Sequence, residues 1–236
     1  MDLHPDDPRL PVQALFDRWA DNGRAEGMEE GHTPTAREAF ERLHLTPGDS
    51  YLDIGCGNGY SVRWAAQLDP SIRATGLDLS PQMVARAREQ SSKHPNTRFI
   101  HAPFPLPMLR DGAFNAIFSM EVFYYLPDLS VGLREVARLL APGGRFVCII
   151  DFYEENTASH SWPEDVGVQM NLMPESMWRA AMTYAGLEVL EQTRLRHPLP
   201  EGEAPSWKQT EGSLMTLARR RPTAPPTQSD ELPESA

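Results

Sequence analysis

The chain has 236 residues, 33 acidic and 22 basic, with a formal net charge of −11. That length suits one sizeable domain with an ample core, and no apolar run approaches the roughly 20 residues that span a bilayer. The acidity is concentrated at the ends, with eight acids against three arginines in residues 1–30 and three acids without a base in residues 222–236. No basic face is legible, so a nucleic-acid partner is not expected.

Two cysteines, Cys56 and Cys148, fit no metal cluster or disulfide frame and suggest a reduced, cytoplasmic protein. The polar start Met1-Asp2-Leu3-His4-Pro5 does not read as a signal peptide.

Residues 1–11, with three prolines, are expected to be loose. Val12, Leu15, Phe16, Trp19 and Ala20 then fall on one face of a helix ending near Asp21. Gly23 to His32 reads as a glycine- and glutamate-rich link. Thr33-Pro34 reads as the start of a second helix ending before Pro47-Gly48. Residues 12–46 form an N-terminal helical region, of which residues 12–33 are expected to close over the site as a lid. Residues 47–221 form the main domain.

Within that domain strands and helices alternate. Strands are predicted at Tyr51–Ile54, Ala74–Leu77, Arg98–His101, Phe114–Ser119 and Phe146–Ile150. Helices lie between them at about Tyr60 to Leu68, from the Ser80-Pro81 cap to about Gln90, and across Leu129 to Leu140, before Pro142-Gly143-Gly144. Residues 152–173 read as a polar, aromatic-bearing insertion. A helix from about Pro174 to Gly186 and strands at Leu187–Leu195 and Ser213–Ala218 complete the domain, and residues 222–236 are expected to be disordered. The pattern implies an α/β three-layer sandwich around a parallel sheet.

The chemistry concentrates at strand ends. Leu52-Asp53-Ile54 runs into Gly55-Cys56-Gly57-Asn58-Gly59, a turn whose main chain a ligand can approach. Asp78, Ala102-Pro103 and Ser119-Met120-Glu121 end the neighbouring strands, so four stretches converge on one crevice. The dinucleotide fingerprint needs a glycine where Tyr60 stands. A carboxylate at Asp53 suits an ammonium group, and these details favour S-adenosylmethionine (SAM) over a nicotinamide dinucleotide.

Residues 40 to 150 resemble the class I SAM-dependent methyltransferases, in the small-molecule branch of the ubiquinone, menaquinone and sterol enzymes. The matching text is Leu52 to Gly59, then Gly76-Leu77-Asp78-Leu79-Ser80-Pro81-Gln82-Met83, then Leu139-Leu140-Ala141-Pro142-Gly143-Gly144. The resemblance implies a Rossmann-like fold with a seven-stranded, mostly parallel sheet and an antiparallel last strand. It implies that Gly55, Cys56 and Gly57 lie along the methionine portion of SAM, or of the product S-adenosylhomocysteine. Asp78 would hold the ribose hydroxyls, and Leu79 and Met83 would flank the adenine. Where the family often has an adenine-binding acid, His101-Ala102-Pro103-Phe104 has none. Either a carbonyl near Pro103 makes that contact or adenine selectivity is looser.

Glu121 is a candidate general base or acceptor-binding group, and His32 a candidate lid histidine facing the methyl group. Tyr124 or Tyr125 is expected to line the acceptor pocket. His160 and Trp162 lie in the insertion, on the usual substrate side of the family. The expected partner is a small-molecule methyl acceptor; neither its identity nor the oligomeric state is legible. Two other readings stay open, a nicotinamide-dependent oxidoreductase and a SAM-binding protein without catalysis.

Overall fold

The computed structural model describes residues 3–222; the disorder expected from 222 onward falls almost wholly outside them. Seven strands form one sheet: β1 (Ser50–Ile54), β2 (Arg73–Asp78), β3 (Thr97–His101), β4 (Phe114–Met120), β5 (Leu140–Ile150), β6 (Leu187–Leu195) and β7 (Ser213–Arg220). Their order is β3-β2-β1-β4-β5-β7-β6. The first five are parallel, and β7 runs antiparallel between β5 and β6. The chain reverses its winding between β1 and β4, which opens a crevice at their carboxyl ends.

Alternation along the strands divides the core into two layers. Leu52, Ile54, Ile117, Phe146, Cys148 and Ile150 face one side, with Leu133 and Val136 of α5 (Leu129–Leu139) and Trp178 and Met182 of α7 (Glu175–Tyr184). Tyr51, Phe118, Val147 and Ile149 face the other. There they meet α3 (Tyr60–Leu68), α4 (Pro81–Gln90) and the end of α2 (Arg24–Glu41) through Val62, Val84 and Phe40. Ser80 caps α4 by accepting from the Met83 N–H at 3.0 Å.

Two local expectations are corrected. The helix α1 (Leu10–Asp21) begins inside the segment read as loose, and Asp7 pairs with Arg9 at 2.6 Å just before it. The supposed link Gly23 to His32 is helical, since α2 starts at Arg24 and continues through Pro34. Each helical glycine costs about 1 kcal/mol relative to alanine, but tertiary contacts offset this. Ala25 is buried with Ala20 and Met83, and Glu26 and Glu29 pair with Arg86 and Arg63 at 2.6 and 3.1 Å. Beside Pro34, the Thr33 hydroxyl donates to the Glu29 carbonyl at 2.6 Å.

In the insertion only α6 (Trp162–Val166) and a short 3-10 turn are regular, and α8 (Trp207–Thr210) precedes β7. Among the described residues no helix is long and apolar enough to cross a membrane.

Candidate functional site

The turn after β1 is held by main chain. The N–H groups of Gly55 and Cys56 donate to the Leu77 carbonyl at 2.7 and 3.0 Å, locking the β1 and β2 ends together. Gly55 has φ +74°, and a Cβ there would stand 2.1 Å from Val122 Cγ2. Gly57 has φ +51° and open space where a side chain would be, so its backbone is approachable.

Asp78 ends β2 beside this turn. Its carboxylate accepts from the Gly57 N–H at 2.8 Å and the Ser80 N–H at 2.8 Å. Burial pushes its pKa up to about 6 against these hydrogen bonds. The acid is held with two amides, and a carboxylate has about four acceptor sites, so it retains capacity for a pair of ligand hydroxyls.

Asp53 behaves differently. Its side chain leaves β1 on the Tyr51 side and accepts from the Ser61 hydroxyl, which in turn accepts from Tyr51 at 2.8 Å. Burial raises its pKa to about 7. It does not line the cavity beside the turn.

That cavity is open to solvent at its mouth, and about 110 Å³ of it admits the centre of a water-sized sphere. Of the residues singled out in the sequence, Gly55, Cys56, Gly57, Asp78, Leu79 and Met83 line one part. Ala102, Met120, Glu121, Tyr125 and His32 line the remainder. Pro103 and Tyr124 do not reach the wall. His160 instead has Nε2 2.9 Å from the Glu154 carbonyl. Trp162 lies against Phe152 and Trp207, with ring centroids 6.5 and 5.9 Å away. Both are outside the cavity lining.

Glu121 leaves β4 with φ +60°, a conformation that non-glycine residues adopt at some cost. Its carboxylate accepts from the Tyr124 hydroxyl at 2.7 Å and from the Asp151 N–H at 2.5 Å. Burial, then the Asp151 charge, pushes its pKa well above the usual value. Tyr124 therefore orients Glu121. His32 faces the cavity from α2, and burial together with Lys208 and His197 lowers its pKa to about 4. The imidazole is neutral at physiological pH.

Sequence reasoning did not single out four wall residues with polar ends, Arg9, Glu29, Asn58 and Tyr60. Glu29 stands one helical turn before His32, a spacing that only a helical reading of Gly23 to His32 would have exposed. Tyr60 was noted solely as the missing third glycine. Arg9 lay in the segment read as loose. Among the described residues no group of three or more His, Cys, Asp and Glu could hold a metal ion.

Residues 52–148 match the family described as a methyltransferase domain. The chain is 36% identical over 158 residues to the 2-methyl-6-phytyl-1,4-hydroquinone methyltransferase of Synechocystis, covering 58% of this chain and 49% of that protein. It is 30% identical over 157 residues to the demethylmenaquinone methyltransferase of Symbiobacterium thermophilum, covering 61% of each. The chain thus spans about half to three fifths of the length of these curated relatives.

A solved complex from Haloferax volcanii, described as the Trm112 methyltransferase activator with its proposed methyltransferase, matches with a TM-score of 0.79 and 35% identity. The match covers 87% of this chain and 97% of that one. Geranyl diphosphate C-methyltransferase from Streptomyces coelicolor shares the fold at 19% identity and a TM-score of 0.65, over 80% of this chain and 76% of that one. Identity of 35% sustained over nearly all of a relative, on this sheet order, means that the chain belongs to the class I SAM-dependent methyltransferases.

Proposed function

We propose that this chain transfers a methyl group from SAM to a small-molecule acceptor by in-line displacement. The observation that carries the reading is the joint placement of the bare Gly57 main chain and the Asp78 carboxylate on one wall of the cavity. The residues fit the cofactor: the turn leaves the backbone open where a methionine chain would lie, and Asp78 keeps acceptor capacity for a ribose. Leu79, Met83 and Ala102 offer apolar surface for an adenine. SAM supplies, when bound, a methyl carbon already activated by its sulfonium.

The protein's own task is then alignment, exclusion of water and disposal of a proton. Phe16, Met28, Val122, Tyr125 and Leu126 supply an apolar wall, suited to a ring or chain with few polar groups. His32, neutral and cavity-facing, is assigned the role of proton acceptor from the methylated atom. Glu121 is assigned the orientation of a polar group on the acceptor, and α1 and α2 the role of lid. The quinone methyltransferases among the relatives support an apolar acceptor, and the Haloferax complex supports a Trm112-type protein activator. Two buried free cysteines, Cys56 and Cys148, suit a reducing cytoplasm.

The nicotinamide alternative requires a glycine at Tyr60, whose side chain forms part of the wall. Calorimetric titration with SAM, S-adenosylhomocysteine and NADH tests the reading. Binding of the two adenosyl compounds is expected, and binding of NADH alone would reject it. Incubation with methyl-labelled SAM and a cell extract then tests transfer, since a protein that only binds would label nothing.

A further inference from the structure

Two carboxyl groups meet at the ends of β4 and β5 without a cation between them. Glu121 lines the cavity; Asp151, 4% exposed, stands off the wall, and its N–H donates to Glu121 Oε1 at 2.5 Å. Glu121 Oε2 accepts from the Tyr124 hydroxyl at 2.7 Å. Among the described residues neither carboxyl takes part in an ion pair. Oδ1 of Asp151 is buried without a partner among those residues.

Charging both of two neighbouring buried carboxyls is prohibitively costly, so the pair retains a proton. The surroundings decide where it sits. Lys208 and the Ser213 hydroxyl favour the anionic form of Asp151. The groups whose charges interact with that of Glu121 are Tyr60, Tyr124, Tyr125, Cys148 and Asp151, and none is a base. The cavity wall holds two basic residues. His32 is neutral, since burial, Lys208 and His197 lower its pKa. Arg9 is committed to Asp7, donating from Nε and Nη2 at 2.8 and 2.6 Å. Burial and the Asp151 charge therefore hold the proton on Glu121.

The Glu121 carboxyl is also fixed in place. Its residue keeps φ +60°, a costly conformation of the kind that clusters at functional sites. Val122, next in the chain, packs close to Gly55, and the Tyr124 carbonyl accepts from the Asn171 N–H at 2.8 Å. An ionised carboxylate on an apolar wall would draw a cation. A protonated one has an O–H donor and suits an unprotonated oxygen instead.

We infer that Glu121 selects the methyl acceptor by donating a hydrogen bond, as a neutral acid, to a carbonyl or other unprotonated oxygen of that molecule, and that Asp151 is the positioning residue that keeps the proton there. The inference rests on the SAM reading above and deepens it, because it names the chemistry of the acceptor. Molecules that would place a charged amine against Glu121 are disfavoured.

The first test is infrared spectroscopy of the full chain carrying isotope-labelled glutamate, at pH 7 and without cofactor. A glutamic acid carbonyl band is expected in the wild type and absent in Glu121→Gln. In Asp151→Asn it is expected to titrate away at lower pH than in the wild type. The second is NMR titration, with S-adenosylhomocysteine present, using 1-tetralone and 1-aminotetralin, which set a ketone against a charged amine on the same ring system. The wild type is expected to bind the ketone about tenfold or more tightly than the amine. Glu121→Gln, whose amide also donates, should keep ketone affinity within about twofold, while Glu121→Leu should lose about threefold or more. A wild type without the band, no preference for the ketone, or equal ketone affinity in the wild type and Glu121→Leu would overturn the assignment of Glu121. An unmoved titration in Asp151→Asn would overturn that of Asp151. Should Asp151→Asn fail to fold, the wild type and the Glu121 variants decide. The band and the ketone preference without binding of S-adenosylhomocysteine would uphold the role of Glu121 and reject the SAM reading itself.

Discussion

The two walls of the cavity are built by different physics. The floor, from β1 through the glycine turn to the end of β2, is fixed by main-chain hydrogen bonds and by close approach of backbone to side chain, as where Gly55 meets Val122. The cover, α1 and α2, is joined to the rest of the domain by apolar contacts, such as those of Ala20 and Ala25 with Met83, and by carboxylates. Asp17 accepts from Ser80, Glu26 pairs with Arg86, and Glu29 meets Asn58 and Arg63. Floor contacts cannot open without unfolding the sheet end. Partly exposed ion pairs are each worth about 1 kcal/mol or less, so this polar part of the attachment exchanges readily with water. A cavity that must admit a nucleoside cofactor needs one wall of each kind.

The most severe way to probe this difference is Gly55→Ala. The new Cβ collides with Val122 at a positive φ, and a loss of about 3 kcal/mol or more in unfolding free energy is expected. Chemical denaturation measures it, and a loss below about 1 kcal/mol would show that the floor is softer than argued. Next in size, Asp78→Ala is expected to weaken SAM binding by about 1.5–3 kcal/mol, the scale of charged hydrogen bonds. Unchanged affinity in titration would place the ribose elsewhere.

The walls should also respond to pH in opposite directions. Asp53, in the floor, has its pKa raised from 3.8 to about 7, so the folded state keeps a proton that the unfolded chain releases. Its contribution is present below pH 3.8 and is lost as pH rises through 7. His32, in the cover, is lowered from 6.5 to about 4. Its contribution is present above pH 6.5 and is lost as pH falls through 4. At about 1.4 kcal/mol per pKa unit, the shifts set an upper bound of about 3–4 kcal/mol for each limb over its window. Melting curves across pH for wild type, Asp53→Asn and His32→Gln check this. Each variant should flatten its own limb alone, and loss of the same limb in both would refute the opposition.

Smaller effects sharpen the contrast. Gly27 lies in α2 with open space around its missing side chain, so Gly27→Ala should stabilise by about 0.5–1 kcal/mol, the reverse of the result in the floor. A destabilised Gly27→Ala protein would mean that α2 is packed as tightly as the turn. Smallest of all, Glu26→Ala should cost no more than about 1 kcal/mol. A larger drop in melting temperature would indicate that the Glu26–Arg86 pair is worth more than a surface pair.

Legibility in the sequence followed the same division. The strands, the turn and the acid at the end of β2 were readable because each depends on neighbours in sequence: alternating apolar residues, single-residue glycine spacing, a serine cap. Helical α2 between residues 24 and 32 was not. Two glycines and a downstream proline argue locally against a helix, and the contacts that outweigh them come from Met83, Arg63 and Arg86. Glu29 was overlooked for the same reason. The substrate-side candidates His160 and Trp162 were chosen by position in the chain, and their side chains turn away from the cavity.

The sequence by itself determined the α/β alternation, the glycine turn and the presence of carboxylates at the ends of β1 and β2. These are matters of backbone conformation and periodicity, settled within a few residues. Only the tertiary structure decided that Asp78 enters the cavity while Asp53 turns beneath it, and that an unpromising segment becomes a helix carrying Glu29 and His32. Strand alternation alone could not say which layer each face would meet. Burial and charge pairing between distant residues supply the free energy that local preference withholds.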